Sequence, residues 1–271
     1  MNSHNRRKPG TPLWRRWLPA VLAAACLGAS GCGAFWDDLT RRDFQFKRLY
    51  TQPDPLVVLR DSQDADDRAR AMRTLHEPAR NGGDQRDQDL VVQLLTTAAV
   101  SDHQIVCRQA AVFALRDFKD PRAVKALKDA YYAAGSFNPE TATILRCQVL
   151  SALGTNGQGE AVELLVRVLK EPPVEGASED KQAKMDERIA AARSLGHFKE
   201  YEATAALAGV LRTDQDVALR NRATESLHGI TGKDLPADYQ QWSDFLSKPD
   251  ALAKEKTTGS GLSLIGWWTK Q

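Results

Sequence analysis

Apolar and polar positions over residues 54–230 follow the 3.6-residue period of amphipathic helices, and no stretch alternates as a half-buried strand would. One column recurs five times within this pattern: an arginine, a small or apolar residue three places on, and a leucine seven places on. The column arginines are Arg68, Arg108, Arg146, Arg188 and Arg220. Their spacings of 40, 38, 42 and 32 residues are typical of stacked helical repeats, because one such unit cannot bury its apolar face alone.

Helix start and stop signals divide the region into helix pairs. Asp54, Asp120 and Asn138 each precede a proline, so a capping side chain stands before a residue that suits the first helical position. The predicted pairs are 55–61 with 65–77, 86–100 with 103–117, 121–134 with 139–153, 158–170 with 182–195, and 199–212 with 216–228. The second helix of each pair carries the column. The place six after its arginine is always small, which predicts close packing between successive second helices.

Two stretches resemble parts of a known repeat. DPRAVKAL at 120–127 resembles the turn and first helix of a HEAT-like repeat, the short type also found in phycobilin lyases, and RIAAARSLG at 188–196 resembles its second helix. The resemblance covers about 55–230 and implies an all-α fold, a right-handed α-solenoid of about five HEAT-like helix pairs within 54–247. In such repeats the column arginine commonly joins a ladder of polar contacts between units. Residues 230–246 resemble the C-terminal cap of exported bacterial HEAT-repeat proteins.

The N-terminal 31 residues have the order of a secretory signal: five basic residues and no acid, then an uncharged run over 17–36 that contains many small residues. ASGC at 29–32 resembles the lipobox of bacterial lipoproteins, in which the chain is cut before the cysteine and the cysteine carries the lipid. This resemblance implies a signal peptide over 1–31, lipidation of Cys32, and a tether with a short helix over 32–53.

Two alternatives for the anchor remain open. Cys26, which follows three alanines, is a second candidate for lipidation, and the 20 uncharged residues are just long enough for an uncut membrane anchor. In each case the basic N-terminal flank predicts that the body of the protein lies outside the cytoplasm. In Gram-negative lipoproteins an aspartate after the lipidated cysteine favours the inner membrane. Gly33 follows Cys32 here, so the resemblance implies an outer-membrane anchor with the protein facing the periplasm.

Charge argues against nucleic acid as a partner. Without residues 1–31 the chain keeps 32 basic and 35 acidic residues, so the body carries about three net negative charges and the formal +2 belongs to the targeting segment. Cys107 and Cys147 lie one residue before and one residue after their column arginines, on different helices. We therefore predict two core thiols and no disulfide.

Residue types that serve catalysis are present without the spacing that catalysis requires. No His or Cys pair has metal-ligand spacing, and neither a Gly-x-Ser-x-Gly elbow nor a phosphate-binding glycine loop occurs. His76 and His228 both stand eight residues after a column arginine, where a helix C-terminus favours a histidine. We expect no catalytic residue, no metal site and no cofactor, and predict that the protein is not an enzyme.

Two surfaces are candidates for binding. The second helices of a solenoid usually line its concave face, and the places two and five after the column arginine are expected to point outward. The candidate residues at these places are Arg70, Arg73, Phe113, Gln148, Arg193 and Arg222. This stripe suits an acidic protein segment or an anionic glycan. Residues 248–271 predict a flexible tail that ends in Trp267 and Trp268, which would dock a partner, touch a membrane interface or fold back onto the solenoid.

These features favour a lipid-anchored, extracytoplasmic scaffold that binds another protein of the cell envelope. A structural envelope component that self-associates, through its ends or its Trp-Trp tail, is the first alternative. The second alternative is a lyase or chromophore-handling protein, by analogy with phycobilin lyases. Export counts against the second, because those relatives act on a cytoplasmic chromophore.

Overall fold

A computed structural model describes residues 53–172, 177–248 and 251–252. Backbone contacts divide the chain into two units, Met1–Pro53 and Asp54–Gln271, and every described helix belongs to the second. The predicted signal peptide, Cys26, Cys32 and the tether up to residue 52 lie outside the described residues. Trp267, Trp268 and the rest of the predicted tail from residue 253 also lie outside them.

The described residues form eleven α-helices and no strand, so the predicted all-α solenoid is confirmed. Ten helices make five consecutive pairs, and the eleventh follows the last pair. The pairs are α1 (Pro55–Asp61) with α2 (Ala65–Arg73), α3 (Gln85–Ser101) with α4 (Ile105–Leu115), α5 (Pro121–Ala133) with α6 (Pro139–Asn156), α7 (Val162–Lys170) with α8 (Ser178–Leu195), and α9 (Tyr201–Thr213) with α10 (Val217–Thr231), and the last helix is α11 (Tyr239–Leu246). Short 3₁₀ helices occupy Pro78–Arg80, Ala134–Ser136 and Gly159–Ala161.

Capping explains where several helices begin and end. The side chains of Asp54, Asp120 and Asn138 accept hydrogen bonds from the first backbone N–H groups of α1, α5 and α6, as predicted. Helix α6 runs three residues past its predicted end and stops at Gly157, whose φ of 74° is the left-handed conformation. Helix α8 begins at Ser178, four residues before its predicted start.

First and second helices form two layers around one core. The successive second helices α2, α4, α6, α8 and α10 pack on one another, and in the other layer α3 packs on α5 and α7 on α9. The column leucines of the last four units are fully buried, and they are Leu115, Leu153, Leu195 and Leu227. Leu75 is only half-buried, because α2 has a neighbouring second helix on one side only within the described residues.

The column arginines reach forward into the next unit. Arg68 Nη1 lies 2.8 Å from Asp102 Oδ2, and Arg188 Nη2 lies 2.5 Å from Asp214 Oδ2. Both aspartates stand six residues before the next column arginine, in the loop that joins the two helices of the next pair. All four side chains are at least three-quarters buried, so removing one partner would strand a charge away from water.

Two arginines make the same forward step to backbone carbonyls. Arg108 Nη1 donates to Ala133 O at 3.0 Å, at the end of the next first helix. Arg220 Nη2 donates to Ala237 O at 2.8 Å, just before α11. Since the last carbonyls of a helix lack partners within the helix, Arg108 also acts as a cap supplied by the preceding unit.

Glu187 supplies the carboxylate between the third and fourth units. Its side chain is 3% exposed and accepts a hydrogen bond from Tyr131 Oη at 2.7 Å. Arg146 Nη1 lies 3.3 Å and Lys184 Nζ lies 3.5 Å from its carboxylate oxygens. The buried charge therefore has the partners that its burial requires. With this contact, the polar ladder that the resemblance implies links every unit to the next.

The C-terminal cap is confirmed and closes the end of the stack. Trp242 of α11 is fully buried, donates from Nε1 to Pro236 O at 2.9 Å, and lies 5.6 Å from the His228 ring, centroid to centroid. His228 Nε2 lies 2.7 Å from Leu235 O. Leu252, which the sequence places in the flexible tail, packs against the core, so the packed part of the chain extends at least to that residue.

A second polar network joins the loops between consecutive pairs. The Glu77 carboxylate, 7% exposed, accepts from Lys119 N at 2.8 Å and from Gln88 Nε2 at 3.3 Å. Gln88 Nε2 also donates to Asp120 Oδ2 at 2.9 Å, and Arg122 Nη2 lies 2.6 Å from the same oxygen. The hydrogen bonds from Arg122 and Gln88 outweigh the effect of burial and hold the pKa of Asp120 well below its ordinary value.

Leu153→Ala tests the repeat register. Because Leu153 is fully buried, the truncation should leave a cavity and lower the free energy of unfolding by about 2–5 kcal/mol. Ile144→Ala on the same helix is the matched control, since Ile144 is 54% exposed, and its effect should stay within about 0.5 kcal/mol. Urea unfolding followed by circular dichroism measures both. Equal losses from the two variants would show that the register is wrong.

Asp120→Asn keeps a helix-capping side chain and removes the charge. Since the pKa of the folded carboxyl lies below the ordinary 3.8, ionised Asp120 stabilises the fold fully above about pH 4, and this stability is lost as the pH falls further. We expect the free energy of unfolding of the variant to be about 1–3 kcal/mol lower than that of wild type at pH 7. Below pH 4 this difference should become progressively smaller. Urea unfolding at pH 7, 5 and 3 measures the difference, and a loss that does not change with pH would contradict the assignment.

Candidate functional site

The second helices present one row of side chains to solvent in every unit. The row lies five places after each column arginine, and its members are Arg73, Phe113, Ser151, Arg193 and Glu225. All five side chains are exposed. We call this surface the +5 row. It contains three of the predicted binding residues, which are Arg73, Phe113 and Arg193.

The place two after the column arginine is exposed only at the first of these helices. Arg70 is exposed, but Ala110 is fully buried, and Gln148 and Arg222 are half-buried. The stacking of second helices explains the difference, because Gln148 Nε2 donates to Gln109 O on the preceding second helix at 2.9 Å. The expectation that this place also points outward is therefore wrong at Ala110 and only partly met at Gln148 and Arg222, so the row that is exposed in every unit is the +5 row.

Between the ends of α2 and α4 the surface opens into a cavity of about 290 Å³, which we call the arginine cleft. Its lining includes Arg73, His76, Arg80, Phe113, Arg116 and Asp117. The structure thus brings Arg73 and Phe113 together, whereas Arg70, Gln148, Arg193 and Arg222 do not line the cavity. The sequence did not predict His76, Arg80 or Arg116 as binding residues. The one available signal was a bulky side chain, instead of glycine, eight places after the first two column arginines, although His228 holds the same place in the last unit.

That place lies where successive second helices meet. His76 and Arg116 hold it after α2 and α4, and both line the arginine cleft. In the next two units the same place holds Gly154 and Gly196, and a Cβ atom on Gly154 would lie only 2.8 Å from Ser194 Cβ. The predicted close packing at the small residue is thereby confirmed between the third and fourth units. Glycine leaves no gap there, while the side chains of the first two units border an open cavity.

The charges in the arginine cleft are unevenly paired. Arg116 lies over the Phe113 ring, 4.2 Å from its centroid, and makes a two-point contact with Asp117 through Nε and Nη2, both at 3.1 Å. Arg73 and Arg80 have no side-chain partner among the described residues. The cleft therefore holds two guanidinium groups that nothing in the described part of the chain neutralises directly.

Exposed arginines elsewhere mostly have a carboxylate at hand. The exposed arginines paired within 3.1 Å are Arg60 with Asp61, Arg70 with Asp67, Arg122 with Asp89 and Arg167 with Glu163, and the half-buried Arg222 pairs with Glu225. Apart from the two in the cleft, Arg86 and Arg193 are the exposed arginines without a side-chain partner in the described ranges, and Arg193 belongs to the +5 row. Of these four unpaired arginines, Arg73 and Arg193 lie in the +5 row, Arg80 follows α2 and Arg86 lies on α3.

A second cavity, of about 410 Å³, lies beside α1 and α3. Helix α1 has seven residues and no buried side chain, and it packs on α2 and leaves part of α3 uncovered. The apolar side chains that line the cavity include Leu59, Met72, Leu90 and Leu94, of which Leu90 is 47% exposed. The charged groups at this cavity, Arg68 and Asp102, are paired with each other. We call this surface the apolar groove.

The two cysteines of the described region are free thiols, as predicted. Burial raises the pKa of Cys107, and burial together with the nearby negative charge of Glu187 raises the pKa of Cys147 to about 12. Both thiols therefore stay protonated at neutral pH and are poor nucleophiles. Across the described ranges no group of three His, Cys, Asp or Glu side chains is arranged to hold a metal ion.

None of the helices in the described part of the chain is long and apolar enough to cross a membrane. Comparison with known proteins identifies one repeat: residues 108–132 match the family model of the PBS lyase HEAT-like repeat. The match runs from the column arginine of α4 through the following loop to the end of α5, and supports a repeat scaffold or a lyase-related role. No curated protein sequence matches the chain. The matched repeat and the five packed helix pairs together support a HEAT-like repeat protein.

Proposed function

We propose that the protein is a lipid-anchored scaffold of the bacterial cell envelope, and that it binds another envelope protein through the +5 row. The observation that carries this proposal is the chemistry of the row. Arg73 and Arg193 are exposed without a carboxylate partner, and Phe113 is 41% exposed in the same row. Arginine and aromatic side chains are enriched at protein interfaces relative to the rest of the surface.

The N-terminal sequence supports the location. A basic start, an uncharged run and the lipobox-like ASGC at 29–32 favour export and lipidation of Cys32. A lipid at the N-terminus would hold the repeat unit near the membrane, with the +5 row available to a partner in the periplasm. Residues 32–53 would then serve as the tether.

Self-association is the second candidate, and one observation favours it. The apolar groove leaves Leu90 47% and Leu94 36% exposed at the start of the stack, where another copy of the chain could cover them. The lyase-related role rests on the matched repeat alone.

Cys32→Ser should abolish lipid labelling and release the protein from the membrane fraction, because the lipid is the proposed anchor. Cys26→Ser is the matched control and should change neither property. Labelling with an alkyne fatty acid, followed by fractionation, measures both. Loss of the label in the Cys26 variant alone would move the anchor to Cys26, and membrane retention of unlabelled Cys32→Ser would indicate an uncut anchor.

Photo-crosslinking in cells tests binding through the +5 row. A photoreactive amino acid at Ser151 or Arg193 should give an adduct with one different envelope protein, because both positions are exposed in the row. The same substitution at Lys125, exposed on the first helix α5, is the control and should give none. Adducts between two copies of the chain would favour self-association. Adducts from Lys125 alone would contradict the +5 row as the interface.

A further inference from the structure

We propose that the arginine cleft is where the partner is anchored, and that its ligand is an extended peptide segment rich in acidic side chains. This inference rests on the proposed function, because it names the chemistry of the partner at one end of the +5 row. The cleft is the place where unpaired guanidinium groups, an exposed aromatic ring and a cavity coincide in the described part of the chain.

The cleft contains two unpaired positive charges. Arg73 and Arg80 enter the cleft from α2 and from the loop that follows it, and neither has a side-chain partner among the described residues. Each guanidinium can donate two parallel hydrogen bonds to one carboxylate, which is the strongest pairing available to it. Arg116, which contacts the Phe113 ring and Asp117, adds a third positive group. Its contacts with Asp117 are made by Nε and Nη2 and do not involve Nη1.

Two carboxylates line the cleft and both already have partners, since Asp117 pairs with Arg116 and Glu77 is held by other residues. Glu77 is 7% exposed, and its two oxygens accept from Lys119 N at 2.8 Å and from Gln88 Nε2 at 3.3 Å. These contacts belong to the network between consecutive pairs. Glu77 is therefore held by the fold, and the carboxylates for Arg73 and Arg80 have to come from a ligand.

The neutral groups favour a peptide over a glycan. One face of the Phe113 ring is covered by Arg116, so a sugar ring lacks a free aromatic surface on that side. Asn81 Nδ2 donates to Glu77 O at 2.8 Å, so this amide is already used. What remains for a ligand is guanidinium beside the exposed His76 ring and the apolar surface of the half-buried Leu75. Acidic side chains next to an aliphatic one match that combination.

Size points to a short segment as well. A cavity of about 290 Å³ lies at the small end of the range for ligand sites, and it holds a few side chains of an extended chain. The remaining members of the +5 row would contact the rest of the partner. An acidic segment would also be drawn to this patch over the net negative charge of the body, and more strongly at low salt.

Selection from a random 12-residue peptide library on the full-length protein in detergent tests the proposal. Peptides selected by wild type should be enriched in Asp and Glu. A selected peptide should bind the triple variant Arg73→Gln, Arg80→Gln, Arg116→Gln at least about tenfold more weakly, since each lost charge-assisted pair weakens binding. Replacing the peptide's Asp and Glu by Asn and Gln should produce the same loss. Circular dichroism and thermal midpoint establish that the variant is folded.

Arg86→Gln is the matched control, because Arg86 is exposed and also lacks a side-chain partner but lies outside the cleft on α3. Binding to this variant should stay within about twofold of wild type. The proposal would be overturned by selected peptides without acidic enrichment, or by equal binding to the triple variant. Displacement of the peptide by oligogalacturonate or by inorganic phosphate at equal concentration would overturn it in favour of a glycan or a phosphorylated ligand.

The crosslinking experiment separates this proposal from the proposed function. If Ser151 and Arg193 still crosslink an envelope protein in the triple variant as in wild type, the scaffold function stands and the cleft is not the anchor. If acidic peptides are selected as expected but no envelope protein crosslinks to the +5 row, the cleft proposal stands and the scaffold function fails.

Discussion

The stack depends on charges that one unit carries and the next unit neutralises. Arg68 and Arg188 each meet an aspartate in the following unit, Arg146 meets Glu187 there, and the remaining column arginines donate to carbonyls beyond their own pair. Because these groups are mostly buried, a missing neighbour would leave a guanidinium or a carboxylate unpaired, which costs several kcal/mol. Each unit is therefore completed by the next, and the last arginine, Arg220, is completed by the segment before the cap helix.

The same stacking decides which surfaces remain for function. Contact between successive second helices buries Ala110 and half-buries Gln148, whereas the +5 row stays exposed along the whole stack. Where glycine stands eight places after the arginine, the neighbouring helix closes in, as Gly154 does on Ser194. Where His76 and Arg116 stand there, the arginine cleft remains. The core residues of the repeat thus vary little, whereas the residue eight places after the arginine varies, and His76 and Arg116 at this place line the arginine cleft.

Much of the fold could be predicted from local signals. The arginine–leucine column, proline-led helix starts and small residues predicted the five pairs and the close packing, and the resemblance of residues 230–246 to a known C-terminal cap predicted the cap. Contacts between residues that are distant in the sequence could not be predicted. Arg68 and Asp102 are 34 positions apart, and an aspartate six before the arginine recurs in only two units. The arginine cleft was missed for the same reason, since Arg80 approaches Arg73 and Phe113 only after the loop following α2 has folded. Helical spacing also predicted that the place two after the column arginine is exposed. This prediction failed at Ala110 because spacing defines a direction on one helix and not how far the neighbouring helix extends.

The pair Arg188–Asp214 tests most directly whether the arginines hold successive units together. Urea unfolding of Arg188→Gln, Asp214→Asn and the double variant gives their coupling energy, and Arg193→Gln on the same helix is the control for a lost surface arginine. The account predicts a coupling of about 1–3 kcal/mol, with the control within about 0.5 kcal/mol of wild type. A coupling near zero would contradict it, because the two side chains would then contribute independently and the ladder would not be what joins the units.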